Sequence, residues 1–209
     1  MKITVFGATG QVGIEIVKQA LWRKHSVTAF GRNVYNLKID DEHLHIFKGA
    51  LFDEAEVLEA ITGADAVLSA IGGAFDGSDK ARSLGIKNII AQMKKAGVKR
   101  IIALGGMGIL NADEQTLLID TPGYPKEYLA VGNEHRKAYE YLKESGLDWT
   151  FVCSPDIINE GPTGNYTTSK DYPPTPNKFR IHAGDLAQFM LTELEENDYV
   201  QARVGISSL

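Results

Sequence analysis

The 209 residues include 22 Lys and Arg against 27 Asp and Glu, with 44% apolar and 23% charged side chains; that is the make-up of one globular domain with enough chain to bury a core. A net charge of −5 without any basic run argues against a phosphate-backbone footprint, so nucleic acid is not an expected partner. No apolar run approaches the ~20 residues of a membrane span, the first residues reach Gly7 before a signal-type apolar region forms, and the single Cys153 permits no internal disulfide or cysteine metal site, so the expected setting is the cytoplasm.

Lys2 to Phe6 reads as a strand running into Gly7-Ala8-Thr9-Gly10-Gln11-Val12-Gly13, after which Val12, Ile16, Val17, Ala20 and Leu21 recur at helical spacing. Ser26 to Phe30 and Leu44 to Lys48 are short apolar runs of strand length. Asp53 is placed as an N-cap, with Glu56 completing a capping box and Val57, Leu58 and Ile61 on the helix behind it. Asp65 to Ile71 is a fourth strand, Ala81 to Ala96 a helix stopped by Gly97, and Arg100 to Leu104 a fifth strand closed by Gly105, Gly106 and Gly108. A helix from about Pro125 to Ser145, a sixth strand from Trp149 to Cys153, a helix from about Ala183 to Leu194 and a strand near Val200 to Ile206 complete the pattern.

Strands separated by helices predict a parallel sheet covered on both faces, a doubly wound, Rossmann-like α/β domain over residues 1–209. Ligands of such sheets bind beyond the carboxyl ends of the strands. Residues 155–182 carry Pro155, Pro162, Pro173, Pro174 and Pro176 and are expected to be a loop region facing the substrate.

Gly7, Gly10 and Gly13, after a strand and opening a helix, suit the sharp turn and the close approach of a pyrophosphate to backbone N–H groups. The second strand ends in Gly31-Arg32-Asn33, without the acid that would hold a ribose 2′-hydroxyl. The Arg32 guanidinium suits a 2′-phosphate instead, so the expected cofactor is NADPH. His25, His43, His45, His135 and His182 have no ligand spacing, and no metal is expected.

Gly7-Ala8-Thr9-Gly10-Gln11-Val12-Gly13 and Leu142-Lys143-Glu144-Ser145-Gly146-Leu147-Asp148-Trp149-Thr150 resemble the atypical short-chain dehydrogenase/reductases of the NAD(P)H-binding, NmrA-like group. Pro162-Thr163-Gly164-Asn165-Tyr166-Thr167, with Ile181, Asp185-Leu186 and Phe189-Met190-Leu191, is similar to the flavin reductases within it, which include biliverdin-IXβ reductase. The resemblance implies Gly7, Thr9, Gly10, Gln11 and Val12 around the pyrophosphate and Arg32 at the 2′-phosphate. It further implies Ala50 and Leu51 beside the adenine, Ile71 and Gly72 along the ribose and nicotinamide, and Ser154, Pro155 and Asp156 closing over the nicotinamide.

The chain departs from these flavin reductases at Gly106, where they have serine, and at Asp156, where they have histidine. Tyr139 and Lys143 imitate the Tyr-x-x-x-Lys pair of short-chain dehydrogenases. Alignment on Ala138, Leu142 and Ser145, however, puts the family's lysine at His135 and its tyrosine at Val131, on one helical stripe. Without that tyrosine, ketone reduction is disfavoured. A flavin acceptor asks mainly for two stacked rings, and the glycines after the fifth strand are expected to leave room above the nicotinamide. His135, with an ordinary pKa near 6.5, is the candidate for handling protons, against the reading of a satisfied core histidine. Tyr124, Tyr128 and Phe75 are candidates for stacking on a flat acceptor, against ordinary packing. Two functions stay open. One is an NADPH-dependent reductase of a planar small molecule, the flavin being a substrate rather than a bound group. The other is an NADP(H)-binding sensor that signals to a protein partner without turnover. A closed ring-sized pocket would favour the first and an exposed apolar patch the second; nothing demands more than a monomer.

Overall fold

Apolar alternation decides how the strands are used. Ile101 and Ala103 face one side of the sheet and Ile102 the other, and Phe151, Val152 and Cys153 divide in the same way. A sheet apolar on both faces must be covered on both. In the computed structural model, which describes residues 1–209, the elements are β1 (Lys2–Phe6), α1 (Gln11–Trp22), β2 (Ser26–Gly31), β3 (Leu44–Lys48), α2 (Glu54–Ile61), β4 (Ala66–Ser69), α3 (Ala81–Ala96), β5 (Arg100–Gly106), α4 (Leu129–Lys143), β6 (Asp148–Ser154), β7 (Asp156–Ile158), β8 (Tyr166–Lys170), β9 (Arg180–His182), α5 (Ala183–Glu196) and β10 (Ala202–Ser208). Eight strands form one sheet in the order β3-β2-β1-β4-β5-β6-β10-β8, parallel except for the antiparallel edge strand β8. α1 and α5 cover one face, and α2, α3 and α4 the other. The doubly wound α/β class is thereby realised. On α1 the stripe Val12, Ile16, Val17 and Leu21 is buried, each large side chain contributing about 1.5–3 kcal/mol.

The structure corrects several expectations. Residues 155–182 are irregular for most of their length but carry three short strands. They hold β7 and β9, which pair with each other in parallel, and β8, which joins the main sheet. The Glu56 carboxylate does not close a capping box on Asp53; it accepts from the Ala50 N–H at 2.7 Å, while Asp53 caps Ala55 and Glu56 as expected. The fourth helix begins with a separate 3-10 turn at Lys126–Tyr128, because Pro125 is extended and α4 proper starts at Leu129. Strand β5 continues through Gly106, since Gly105 and Gly106 keep their register opposite Cys153 and Ser154.

The family-like segments of the second half meet in space and hold one another. Asp185, fully buried at the start of α5, accepts from the Thr163 and Gly164 N–H groups at 2.6 and 2.8 Å and from the Thr163 hydroxyl at 2.8 Å. A Cβ on Gly184 would lie 2.1 Å from the Pro162 nitrogen. Their pairing in the sequence therefore reflects a loop anchored to a helix.

Candidate functional site

Beyond the carboxyl ends of β4, β5 and β6, next to the start of α1, lies a cavity of about 660 Å³. The glycine turn forms its near side. Gly7 has φ +75°, and a Cβ there would lie 2.4 Å from the Ala70 carbonyl oxygen, while one on Gly13 would lie 2.0 Å from the Gly7 oxygen. These two glycines let strand, turn and helix close on each other. Gly10 differs: it is exposed, a Cβ there would meet nothing nearer than the Gly7 oxygen at 3.4 Å, and it lines the cavity with Gln11 and Val12. The first turn of α1 has no side-chain cap and no acidic residue, leaving backbone N–H groups and the positive helix end free for an anion. A dinucleotide pyrophosphate fits this cradle.

The expected site residues separate into two groups. Gly10, Gln11, Val12, Ile71 and Gly72 line the cavity with His135, and so do Ser154, Pro155 and Asp156. Arg32 at the end of β2 and Ala50 after β3 are exposed, and Thr9 is exposed in the turn itself. Leu51 is half-buried, its side chain so close to α3 that a Cβ on Gly85 would lie 2.5 Å from it. Arg32, Ala50 and Leu51, with Gly7 and Thr9, lie outside the cavity wall. Tyr139 faces away from the cavity, between Trp149 and Phe151 and under the Arg203 guanidinium, and Lys143 is exposed.

Gly105 and Gly106, which end β5, and Gly108 line the cavity, and the side-chain positions they leave bare are taken up by neighbouring rings. A Cβ on Gly105 would lie 2.3 Å from the Phe151 ring, one on Gly108 2.4 Å from the Tyr124 hydroxyl, and one on Gly106 2.8 Å from Cδ2 of His135. Each absent side chain makes way for a neighbouring ring. Val131 and His135, one turn apart on α4, both line the cavity. The reading of His135 as a core histidine with its hydrogen bonds satisfied does not hold, because its Nδ1 has no partner. Burial, assisted by the positive charge of Arg82, lowers its pKa from 6.5 to about 3, so the imidazole is neutral at physiological pH. Its enclosed Nδ1 has no hydrogen-bond partner. The ring can offer or accept a hydrogen bond but does not cycle through imidazolium near neutrality.

Aromatic residues form the mouth. Phe75 and Tyr128 pack edge to face at 5.4 Å, and the Tyr128 hydroxyl donates to Asp156 Oδ1 at 3.3 Å. Tyr124 and the exposed Phe179 also line the cavity. Burial raises the Tyr124 phenol above its ordinary pKa of 10, so it stays neutral. Buried Cys153 has its thiol pushed up by desolvation, which makes it inert.

Sequence reasoning passed over Arg82, in the first turn of α3. Its guanidinium turns back to donate to the Ala74 and Gly73 carbonyls at 3.0 and 3.2 Å and lines the cavity. The signal was present: a cation in the first turn of a helix opposes the helix dipole.

Comparisons with known proteins agree with this geometry. The chain matches the family described as "NAD(P)H-binding" over residues 7–197. It is 32% identical to the uncharacterized protein YwnB of Bacillus subtilis, covering 100% of this chain and 99% of that one. Among solved structures it is similar to a "putative NADH-flavin reductase" of Streptococcus pneumoniae, at 31% identity, TM-score 0.86 and full coverage of both chains. It is likewise similar to a "putative epimerase" of Bacteroides thetaiotaomicron, at 33% identity and TM-score 0.86, covering 100% of this chain and 97% of that one. No helix is long and apolar enough to cross a membrane.

Proposed function

The chain belongs to the NAD(P)H-binding family, with an oxidoreductase fold, and we propose that it is an NADPH-dependent reductase passing hydride to a flat conjugated acceptor, a flavin such as FMN or riboflavin. The observation that carries this reading is the cavity of about 660 Å³, continuous with the glycine turn, whose walls offer rings and backbone but no Tyr-Lys pair. Tyr124 and Tyr128 reach the cavity with phenols raised above 10 and no lysine in the lining to lower them, so an acceptor that needs an activated tyrosine proton donor is poorly served, whereas one that needs two rings stacked and water excluded is well served. The similar Streptococcus protein described as a "putative NADH-flavin reductase" supports the acceptor class.

The chain's own residues divide the work. Backbone N–H groups at Gln11 and Val12, beside the bare backbone of Gly10, hold the pyrophosphate, and exposed Arg32 meets the 2′-phosphate that distinguishes NADPH. Ala50 and Leu51 border the adenine, and Ile71 and Gly72 the nicotinamide ribose. Ser154, Pro155 and Asp156 close the nicotinamide side, with Tyr128 and Phe75 at the mouth. The bound dinucleotide supplies the hydride. His135 orients an acceptor by a neutral hydrogen bond. Drawing on NADPH, the protein is assigned to the cytoplasm, and it works as a monomer on a small planar molecule.

The test is anaerobic NADPH oxidation, with NADH alongside, against FMN, riboflavin and a small quinone. Turnover with a flavin, faster with NADPH and losing that preference in Arg32→Ala, is expected. Tight NADPH binding without turnover on any acceptor would replace the reading with that of a sensor serving a protein partner.

A further inference from the structure

The two most buried arginines of the molecule have carboxylate partners: Arg100 lies 2.6 Å from Glu193 and Arg203 lies 3.3 Å from Asp171. Arg82, half-buried in the cavity wall, donates only to the two carbonyls of Gly73 and Ala74. Asp79 and Glu134 stabilise its charge through space, but neither forms an ion pair with it, and each has its own hydrogen-bond partners. Asp79 accepts from the Ala74 and Ala81 N–H groups at 2.8 and 3.1 Å. Buried Glu134 holds the Ser83 hydroxyl and the Lys137 ammonium. Asp156, across the mouth, accepts from Tyr128. Neutral carbonyls orient a guanidinium but do not cancel its charge, and a partly desolvated cation attracts an anion far more strongly than one in water. The position in the first turn of α3 adds an unfavourable helix-dipole interaction. A cation in the first turn of a helix that has no ion-pair partner and lines a cavity can meet negative charge that arrives with the ligand.

A conjugated acceptor provides such a charge. When hydride, two electrons with one proton, leaves the reduced nicotinamide and bonds to the acceptor ring, the nicotinamide becomes a cation. The acceptor gains one negative charge, delocalised over its carbonyl oxygens and ring nitrogens, until water supplies a proton. We propose that Arg82 is the residue that holds this charge, and that it selects acceptors whose hydride adduct is a delocalised anion, namely flavins and quinones, over simple carbonyl compounds whose adduct is a localised alkoxide. This rests on the reductase reading above and names what that site selects for. Stabilising charge that develops only as the reaction proceeds lowers the barrier without tightening ground-state binding.

The test compares wild type with Arg82→Gln and Arg82→Lys. The first readout is the NADPH dissociation constant from nicotinamide fluorescence. The second is the titration of 6-hydroxyriboflavin bound in the presence of NADP+, whose ring hydroxyl changes colour on ionising. The third is steady-state turnover of riboflavin. Wild type is expected to lower the ionisation pH of the bound probe relative to free probe. Arg82→Gln should abolish that lowering and reduce kcat on the order of 100-fold, with NADPH affinity and KM nearly unchanged, and Arg82→Lys should restore part of both. Equal ionisation of the probe on wild type and Arg82→Gln would overturn the proposal. A loss of NADPH affinity in Arg82→Gln as large as the loss of turnover would overturn it too, by making Arg82 an anchor for the dinucleotide phosphates. Wild type that binds no probe and reduces no flavin would remove the reductase reading itself, a failure visible before any variant is made.

Discussion

The two ends of the same sheet treat buried polar groups in opposite ways. At the amino ends of β5 and β6, Arg100 donates to Glu193, to the Thr150 hydroxyl and to the Asp148 and Glu193 carbonyls. Glu193 in turn receives the Thr150 hydroxyl and the Asp198 and Tyr199 N–H groups. Each charge has its partner. At the carboxyl ends, Arg82 lines a cavity with hydrogen bonds to two carbonyls and no ion pair, His135 Nδ1 is enclosed without a partner, and Gly105, Gly106 and Gly108 bring rings against bare backbone. The lesson is a division of labour in charge: at one end the buried arginine is ion-paired and holds the fold, although its Nε has no partner, and at the other an arginine without an ion pair and an unpartnered histidine line a cavity.

The largest effect should separate the ends directly. Glu193→Ala strands the buried Arg100 guanidinium and should cost about 3–5 kcal/mol of unfolding free energy, the range for removing one partner of a buried pair. Arg82→Gln should leave urea-unfolding stability within about 0.5 kcal/mol while reducing kcat on the order of 100-fold. Urea melts of both variants decide it, and a Glu193→Ala protein as stable as wild type would break the division.

The next effect lies within the glycine turn. Gly13→Ala drives a methyl to 2.0 Å from the Gly7 oxygen, so backbone must move, whereas Gly10→Ala meets only that oxygen at 3.4 Å. Gly13→Ala should therefore lose both melting temperature and NADPH affinity. Gly10→Ala should keep its melting temperature and lose affinity by roughly tenfold or more, about 1.4 kcal/mol. Fluorescence titration beside thermal unfolding measures both.

This contrast also shows what the sequence makes legible. The glycine turn, the strand alternation and the Ala81–Gly97 helix with its left-handed stop are local, each set by residues within a turn or two of each other. β8 was missed because Tyr166–Lys170 is a half-buried edge strand of hydroxyl-rich residues between prolines, so it lacks the apolar run of a central strand. Arg82 was missed for a different reason. Its meaning depends on where the side chain ends up, at the cavity wall with two carbonyls as partners and no carboxylate in ion-pair contact, and no local pattern records that. Gly106 is legible only as a missing side chain, because the sequence says nothing of which neighbour fills the space, here His135.

A smaller effect tests that filling. Gly106→Ser restores the serine expected from the flavin reductases but drives its Cβ to 2.8 Å from the His135 ring. It should destabilise by about 1–3 kcal/mol, and Gly106→Ser combined with His135→Ala should recover part of that loss. The pH dependence of His135 has a definite sign. With its pKa at about 3 in the folded protein against an ordinary 6.5, the unfolded chain binds the extra proton. Stability is therefore unaffected by this group above pH 6.5 and falls as pH drops from there toward 3. His135→Gln should make that decline shallower between pH 7 and 4.5 in urea melts, and the kcat profile of wild type should show no step near 6.5. A step there that His135→Gln removes would mean that the imidazole titrates during turnover.

The smallest effect lies at the mouth. The Tyr128 hydroxyl and Asp156 are joined by a bond of 3.3 Å exposed to water, where competing solvent leaves little net gain. The carboxylate also raises the Tyr128 phenol above its usual 10, so the phenol stays a neutral donor. Tyr128→Phe keeps the ring against Phe75 and removes only the hydroxyl. It should change stability by less than about 0.5 kcal/mol and alter the KM for a flavin by only a few-fold. Losing one hydrogen bond at the amino ends of the strands should cost several times more, because there no water replaces the partner. If Tyr128→Phe destabilised as much as Glu193→Ala, the mouth would be part of the folding core rather than a surface open to a ligand.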